Sequence, residues 1–206
     1  HWTNTQRRWA NTPMRCMVIE SDVYHSLGYN GAGHKSMPVI KGGLTEELFG
    51  SCGYIKTSNI NNYSAPGLNE CYTASTDIPS SLRLYLYGYF TNRAKFGAKF
   101  QSSTQRLFGE TFTSKPKMTP GKWHRMAIGL KLNDDRKDNG RGTMWLDGKK
   151  VIDTGNRIMW AYEPSKDRGI KAFALRHGYG GTPSKLIPTK DMYERYRNLR
   201  VWGIRQ

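Results

Sequence analysis

Between Ser81 and Tyr89 the side chains alternate one by one. Leu82, Leu84 and Leu86 fall on one face of an extended chain, and Ser81, Arg83, Tyr85, Tyr87 and Tyr89 on the other. Period-two alternation of this kind predicts a strand with one buried face. The same rhythm returns from Trp123 to Leu132, with Met126, Ile128, Leu130 and Leu132 opposite Arg125, Ala127, Gly129 and Lys131. A charged loop over Asn133 to Gly142 leads to a return strand, Thr143 to Leu146. Asp147-Gly148 is a strong hairpin-turn signal before Lys149 to Ile152. Lys171 to Tyr179 and Leu199 to Ile204 predict two further strands. Residues 188–197, with Asp191 and Glu194 ahead of Arg195 and Arg197, predict one short helix. The first fifty residues, broken by Gly28, Gly31, Gly33, Gly42, Gly43 and Gly50, predict loops and short strands, and residues 57–70 a long surface loop. Many strands without alternating helices predict an all-β fold, a jelly roll or concanavalin-like two-sheet sandwich, as a single domain over residues 1–206.

Composition sharpens this. The chain has 32 Lys and Arg against 16 Asp and Glu, a net charge of +16. A domain of this size repels itself at that charge unless a polyanion balances it, so the expected partner is anionic. Nucleic acid, an anionic membrane surface and an acidic polysaccharide all satisfy charge alone. No run is long and apolar enough to span a membrane. The chain opens at His1 without an initiator Met or an apolar leader, as expected either of a secreted, extracellular protein whose signal peptide has been removed or of a trimmed chain. Cys16, Cys52 and Cys71 allow one internal disulfide, Cys52 with Cys71, or three free thiols.

Several chemistries find no footing. In Asp134 to Gly140, Arg136 or Lys137 falls where a calcium loop needs an oxygen ligand, so the segment reads as a turn. There is no phosphate-binding glycine loop and no nucleophile elbow. His25, His34, His124 and His177 show no metal-binding spacing, and an N-terminal His such as His1 is by itself weak evidence for a copper-binding amino terminus, so neither metal nor cofactor is expected. The run Tyr193-Glu194-Arg195-Tyr196-Arg197-Asn198-Leu199-Arg200 interleaves rings and cations as single-strand binders do, yet no RNA-recognition, finger or helix-turn-helix signature accompanies it.

Ordered fragments resemble the jelly-roll polysaccharide lyases, the alginate and glucuronan lyases of families fourteen and twenty. Gly121-Lys122-Trp123-His124, Leu130-Lys131-Leu132-Asn133 and Gly142 through Lys149 are similar to their hairpin. Gly178-Tyr179-Gly180-Gly181, Pro188-Thr189-Lys190-Asp191 and Tyr196 through Trp202 are similar to their closing segment. Cys71 leading into Tyr85-Leu86-Tyr87 is similar to their site strand. The resemblance implies a jelly roll that cleaves uronate polymers by β-elimination, with a Lys, a Ser-x-Arg pair and a Tyr-x-Tyr pair in the site. Here Leu44 falls at the Lys, Thr73 and Ser75 at the Ser-x-Arg, and only Tyr85-x-Tyr87 is kept. Lys41 and Ser81-x-Arg83 are the residues that would restore the charges from new positions.

Such chemistry neutralises the uronate carboxylate, removes the proton at C5 and protonates the leaving oxygen at C4. Arg or Lys serves the first task and phenols or imidazole the others. The candidate catalytic set is therefore Arg83, Tyr85, Tyr87 and His177. Candidate substrate-binding residues are Lys41, Ser81, Tyr89, Tyr179, Arg125 and Lys131. Three functions remain in play: a lyase on acidic polysaccharide, a non-catalytic acidic-glycan binder or matrix protein, and a single-strand nucleic-acid binder.

Overall fold

The computed structural model describes residues 3–8, 14–30, 34–36, 38–43, 71–77, 81–90, 100–101, 106–107, 109–134, 137–158, 169–179 and 190–205. Its strands are β1 (Thr3–Arg8), β2 (Met14–His25), β3 (His34–Ser36), β4 (Val39–Gly43), β5 (Cys71–Asp77), β6 (Arg83–Tyr89), β7 (Phe100–Gln101), β8 (Arg106–Leu107), β9 (Glu110–Lys117), β10 (Trp123–Lys131), β11 (Arg141–Leu146), β12 (Lys149–Asp153), β13 (Ile170–Tyr179) and β14 (Glu194–Arg205). No helix occurs among the described residues. Apart from the small ribbon of β7 and β8, the strands form one 12-stranded ladder. Its first half runs β14-β2-β10-β11-β12, and its second runs β13-β4-β5-β6-β9 with β1 and β3 also paired to β13. The halves meet at the pair Ile170↔Met14. They fold face to face as a jelly roll around one core.

Alternation fixes which face turns inward. On β6, Leu84 and Leu86 are fully buried, while Arg83, Tyr85, Tyr87 and Tyr89 are half-buried. On β10, Met126, Ile128 and Leu130 face the same cluster, joined by Met17, Ile19 and Val23 of β2, Ile40 of β4 and Phe173 of β13. The clustered side chains come from both halves, so each half covers the apolar face that the other exposes.

The β11–β12 hairpin turns at Asp147 (φ 50°) and Gly148 (φ 78°), as the Asp-Gly pair predicts for a tight turn with two positive φ values. Asp147 also locks the hairpin to β10. Its Oδ1 accepts the Arg125 N–H at 2.9 Å, and its Oδ2 lies 2.8 Å from His124 Nδ1. The Thr119 N–H donates to His124 Nε2 at 3.0 Å, leaving Nδ1 as the donor to the carboxylate. His124 is thus a buried strut. Residues 135–136 of the expected turn lie outside the described residues; on either side of them the Lys137 N–H donates to Asp134 O at 3.0 Å, and the Asn139 side chain closes on Asp134.

Two expectations are corrected. Of the helix expected over 188–197, residues 188–189 lie outside the described residues, Lys190–Tyr193 are irregular, and β14 begins at Glu194. The Glu-Arg-Tyr-Arg sequence also alternates with period two. Pairing with β2 from Glu194↔His25 onward uses that alternation, and a long sheet contact overrides a marginal local preference. Nor are the first fifty residues only loops and short strands, because β2 runs for 12 residues through the middle of the first half. The Leu44 position, the 57–70 loop and the Cys52–Cys71 pairing lie outside the described residues, while Cys16 is a free thiol.

Acid should loosen the hairpin end first. Asp153 accepts Arg141 Nε at 2.6 Å and Nη2 at 2.8 Å, together with Lys150 Nζ at 2.8 Å. The Arg141 fork, outweighing burial, holds the Asp153 carboxyl far below the ordinary carboxylate range. A depressed folded pKa gives stability that is complete above the unfolded value and lost progressively as pH falls from there through the folded one, so melting temperature should drop below about pH 4. Asp153→Asn should flatten that drop and lower the neutral-pH melting temperature. A parent-like acid profile in the variant would contradict this assignment.

Candidate functional site

The outer face of the second half is a polar grid set by register. Tyr87 pairs with Ser75 on one side and Thr111 on the other; Tyr85 pairs with Asp77 and Thr113. Tyr89 pairs with Thr73, and Thr73 pairs with Lys41 on β4. Neighbouring strands lie about 4.8 Å apart, so Lys41 and Tyr89 stand roughly 10 Å apart along one row at the backbone. Because directly opposed residues share a face, β4, β5, β6 and β9 contribute to a single surface.

At its centre are two phenols. Tyr87 Oη donates to Tyr89 Oη at 3.2 Å, and the rings meet edge to face at 86° with centroids 5.2 Å apart. The backbone N–H of Gly109 donates to Tyr87 Oη at 2.9 Å. Glycine is needed there. A Cβ on Gly109 would lie 2.7 Å from the Gly88 carbonyl oxygen and 2.9 Å from Tyr87 Cζ. A donor aimed at the phenolic oxygen favours negative charge on it, and the second phenol offers a path for the proton.

The remaining candidates scatter. Arg83 starts β6, where one terminal nitrogen of its guanidinium donates to the Ser114 carbonyl at 3.0 Å and also to that of Lys115, stitching β6 to β9. Ser81 sits in the preceding turn and accepts the Arg83 N–H at 3.4 Å. His177 pairs with Thr3 and Ser36, and Tyr179 with His34, on β13, with β4 and β5 between them and β6. Arg125 and Lys131 lie on β10 in the first half, so they do not join the tyrosine row. Arg125 is bound to Asp22 at 3.1 Å. Burial pushes the Asp22 carboxyl up, but hydrogen bonds from Asn198, Arg125 and Arg197 outweigh it and hold it below the ordinary range. Among the described residues no group of three His, Cys, Asp or Glu could hold a metal. No described helix is long and apolar enough to cross a membrane.

The family model for polysaccharide lyase 14 matches residues 10–199. The chain belongs to this family. Its fold agrees with that of solved polysaccharide lyases. The polysaccharide lyase 14 alginate lyase of Aplysia kurodai superposes with TM-score 0.65 at 15% identity, covering 93% of this chain and 71% of that one. A doubly substituted alginate lyase Aly36B in complex with alginate trisaccharide gives TM-score 0.65 at 18% identity, covering 98% and 75%. The endo-β-1,4-glucuronan lyase of the fungus Trichoderma reesei gives 0.58 at 13%, covering 99% and 75%. No curated protein sequence matches the chain. The expected family and jelly roll are therefore established, and a polysaccharide is the partner class of this polysaccharide lyase 14 member.

Sequence reasoning found the tyrosine strand but missed Gly109, whose role is a backbone N–H. A lone glycine before a strand carries no sign of which oxygen it will face. Thr73 and Ser75 stand at positions where the resemblance implies Ser and Arg, and the register sets them beside Tyr89 and Tyr87.

Proposed function

We propose that the protein is a uronate-polymer lyase that cleaves by β-elimination on the outer face of its second half. The observation carrying this reading is the hydrogen-bonded pair Tyr87 and Tyr89, with the Gly109 N–H aimed at the Tyr87 oxygen. Tyr87, as phenolate, takes the proton from C5. The C5–H electrons form the C4=C5 double bond as the C4–O bond breaks, and a phenol, Tyr89 or Tyr85, returns a proton to the leaving oxygen. Lys41, in the Tyr89 row, is the cation for the uronate carboxylate, taking the role of the lysine that Leu44 replaces. Ser75 and Thr73 pair by backbone register with Tyr87 and Tyr89. A polymer substrate too large to enter a cell calls for a secreted enzyme, and the +16 charge fits its carboxylates.

Incubation with alginate and with polyglucuronate tests this through the ultraviolet absorbance of newly formed unsaturated uronate ends. One of the two should release such ends, with a rate that falls as salt rises, since attraction at exposed sites is screened within about 8–10 Å at physiological ionic strength. Absence of unsaturated ends from both polymers, together with retained binding, would reassign the protein as a non-catalytic glycan binder. A rate indifferent to salt would remove the electrostatic part of the reading.

A further inference from the structure

The outer face of the first half carries a second set of cations and rings that the tyrosine row does not use. Register sets Arg195, Tyr24 and Trp123 in one row across β14, β2 and β10, and Arg197, Asp22 and Arg125 in the next. Arg200 and Glu20 follow in a third. The Tyr24 ring lies 5.5 Å from Trp123 and stacks at 6.0 Å on Tyr193. The Arg197 guanidinium sits 4.1 Å from the Trp123 centroid, and that of Arg195 sits 4.8 Å from Tyr193. The arginines are open to solvent: Arg197 is 54% exposed, Arg200 57% and Arg125 50%.

Asp22 organises the patch. It is only 9% exposed and accepts Arg125 Nε at 3.1 Å and Arg197 Nε at 3.4 Å, with Asn198 Nδ2 at 2.7 Å. Binding through Nε fixes both guanidiniums and leaves their terminal nitrogens for a further acceptor. Arg125, Arg197 and Arg200 share the carboxylates of Asp22 and Glu20, and Arg195 has no acidic partner among the described residues. Positive charge is therefore in excess and held in place.

We propose that this face is a second binding surface for an anionic polysaccharide, on the other side of the sandwich from the tyrosine row, which holds the polymer without acting on it. Fixed guanidiniums with open terminal nitrogens match carboxylates in a forked geometry. Guanidiniums already lie over Trp123 and Tyr193, so the face offers charged forks more than bare ring faces on which bases stack. The ligand class rests on the uronate reading above. A surface of this kind keeps a lyase on an insoluble or gelled polymer between cleavages.

The test compares retention on immobilised alginate with turnover of soluble alginate oligosaccharides. Arg195→Gln/Arg200→Gln should weaken retention by about tenfold while the initial rate on oligosaccharides stays that of the parent. Arg195→Gln alone, which leaves both carboxylates paired, should show part of the same loss at an unchanged melting temperature. Parent-like retention in both variants overturns the proposal. So does a loss confined to immobilised single-stranded DNA, which would give the face to nucleic acid. A protein that cleaves no uronate polymer would sink the lyase reading, yet the retention comparison would still decide this one.

Discussion

Tyr87→Phe should abolish turnover of uronate polymer, by roughly 100- to 10,000-fold, while binding of oligosaccharides changes little. The substitution removes one oxygen and keeps the ring. That oxygen accepts the Gly109 N–H and bonds the Tyr89 hydroxyl, so it is the point where a proton can leave with support on both sides. Phe keeps the edge-to-face contact with Tyr89 and the inward packing of Leu86 on the reverse face of β6, so the fold should persist. Tyr89→Phe should cost less, because it breaks only one bond to Tyr87 and leaves the Gly109 contact. Initial rates of unsaturated-end formation, with oligosaccharide affinity measured on the same samples, separate these effects. A Tyr87→Phe enzyme with parental kcat would move the chemistry elsewhere. A fall in affinity matching the fall in rate would make the hydroxyl a binding group only.

What could be read beforehand divides along physical lines. The β6 and β10 strands were legible because each has a continuous apolar face set against polar residues, and Asp147-Gly148 announces its turn by backbone sterics. The β2 strand was not, because its inward face mixes Met17, Ile19 and Val23 with Ser21 and His25, and its outward face carries Glu20 and Asp22. Asp22 is satisfied only by partners far along the chain, Arg125, Arg197 and Asn198. The same holds for the site. Tyr85, Tyr87 and Tyr89 are neighbours on one strand, so spacing alone groups them. Their relation to Lys41, Thr73 and Gly109 depends on strand pairing, which local pattern does not encode. Arg83 shows the converse, since sharing a face with the tyrosines left open that its guanidinium would cap the carbonyls of Ser114 and Lys115.

The strand that carries the phenols stands on its leucines, and Leu84→Asp should unfold the protein. Leu84 is fully buried in the common core, and its N–H donates to Ser114 Oγ at 3.0 Å, so β6 cannot turn to bring a new carboxylate to water without breaking its seam with β9. The loss of leucine burial alone costs about 1.5–3 kcal/mol. An unpaired carboxylate in the same place adds several more, or must take up a proton to remain there. Against a total stability of about 5–15 kcal/mol the sum reaches the threshold of unfolding. Leu84→Ala should be milder, about 2–5 kcal/mol, because it leaves a cavity and no charge. Tyr85→Asp, one residue along and on the outer face, should melt near the parent. Thermal denaturation of the three variants side by side checks the facing of the strand: a Leu84→Asp protein that melts with the parent while Tyr85→Asp collapses would mean that the tyrosines, and not the leucines, are the buried row.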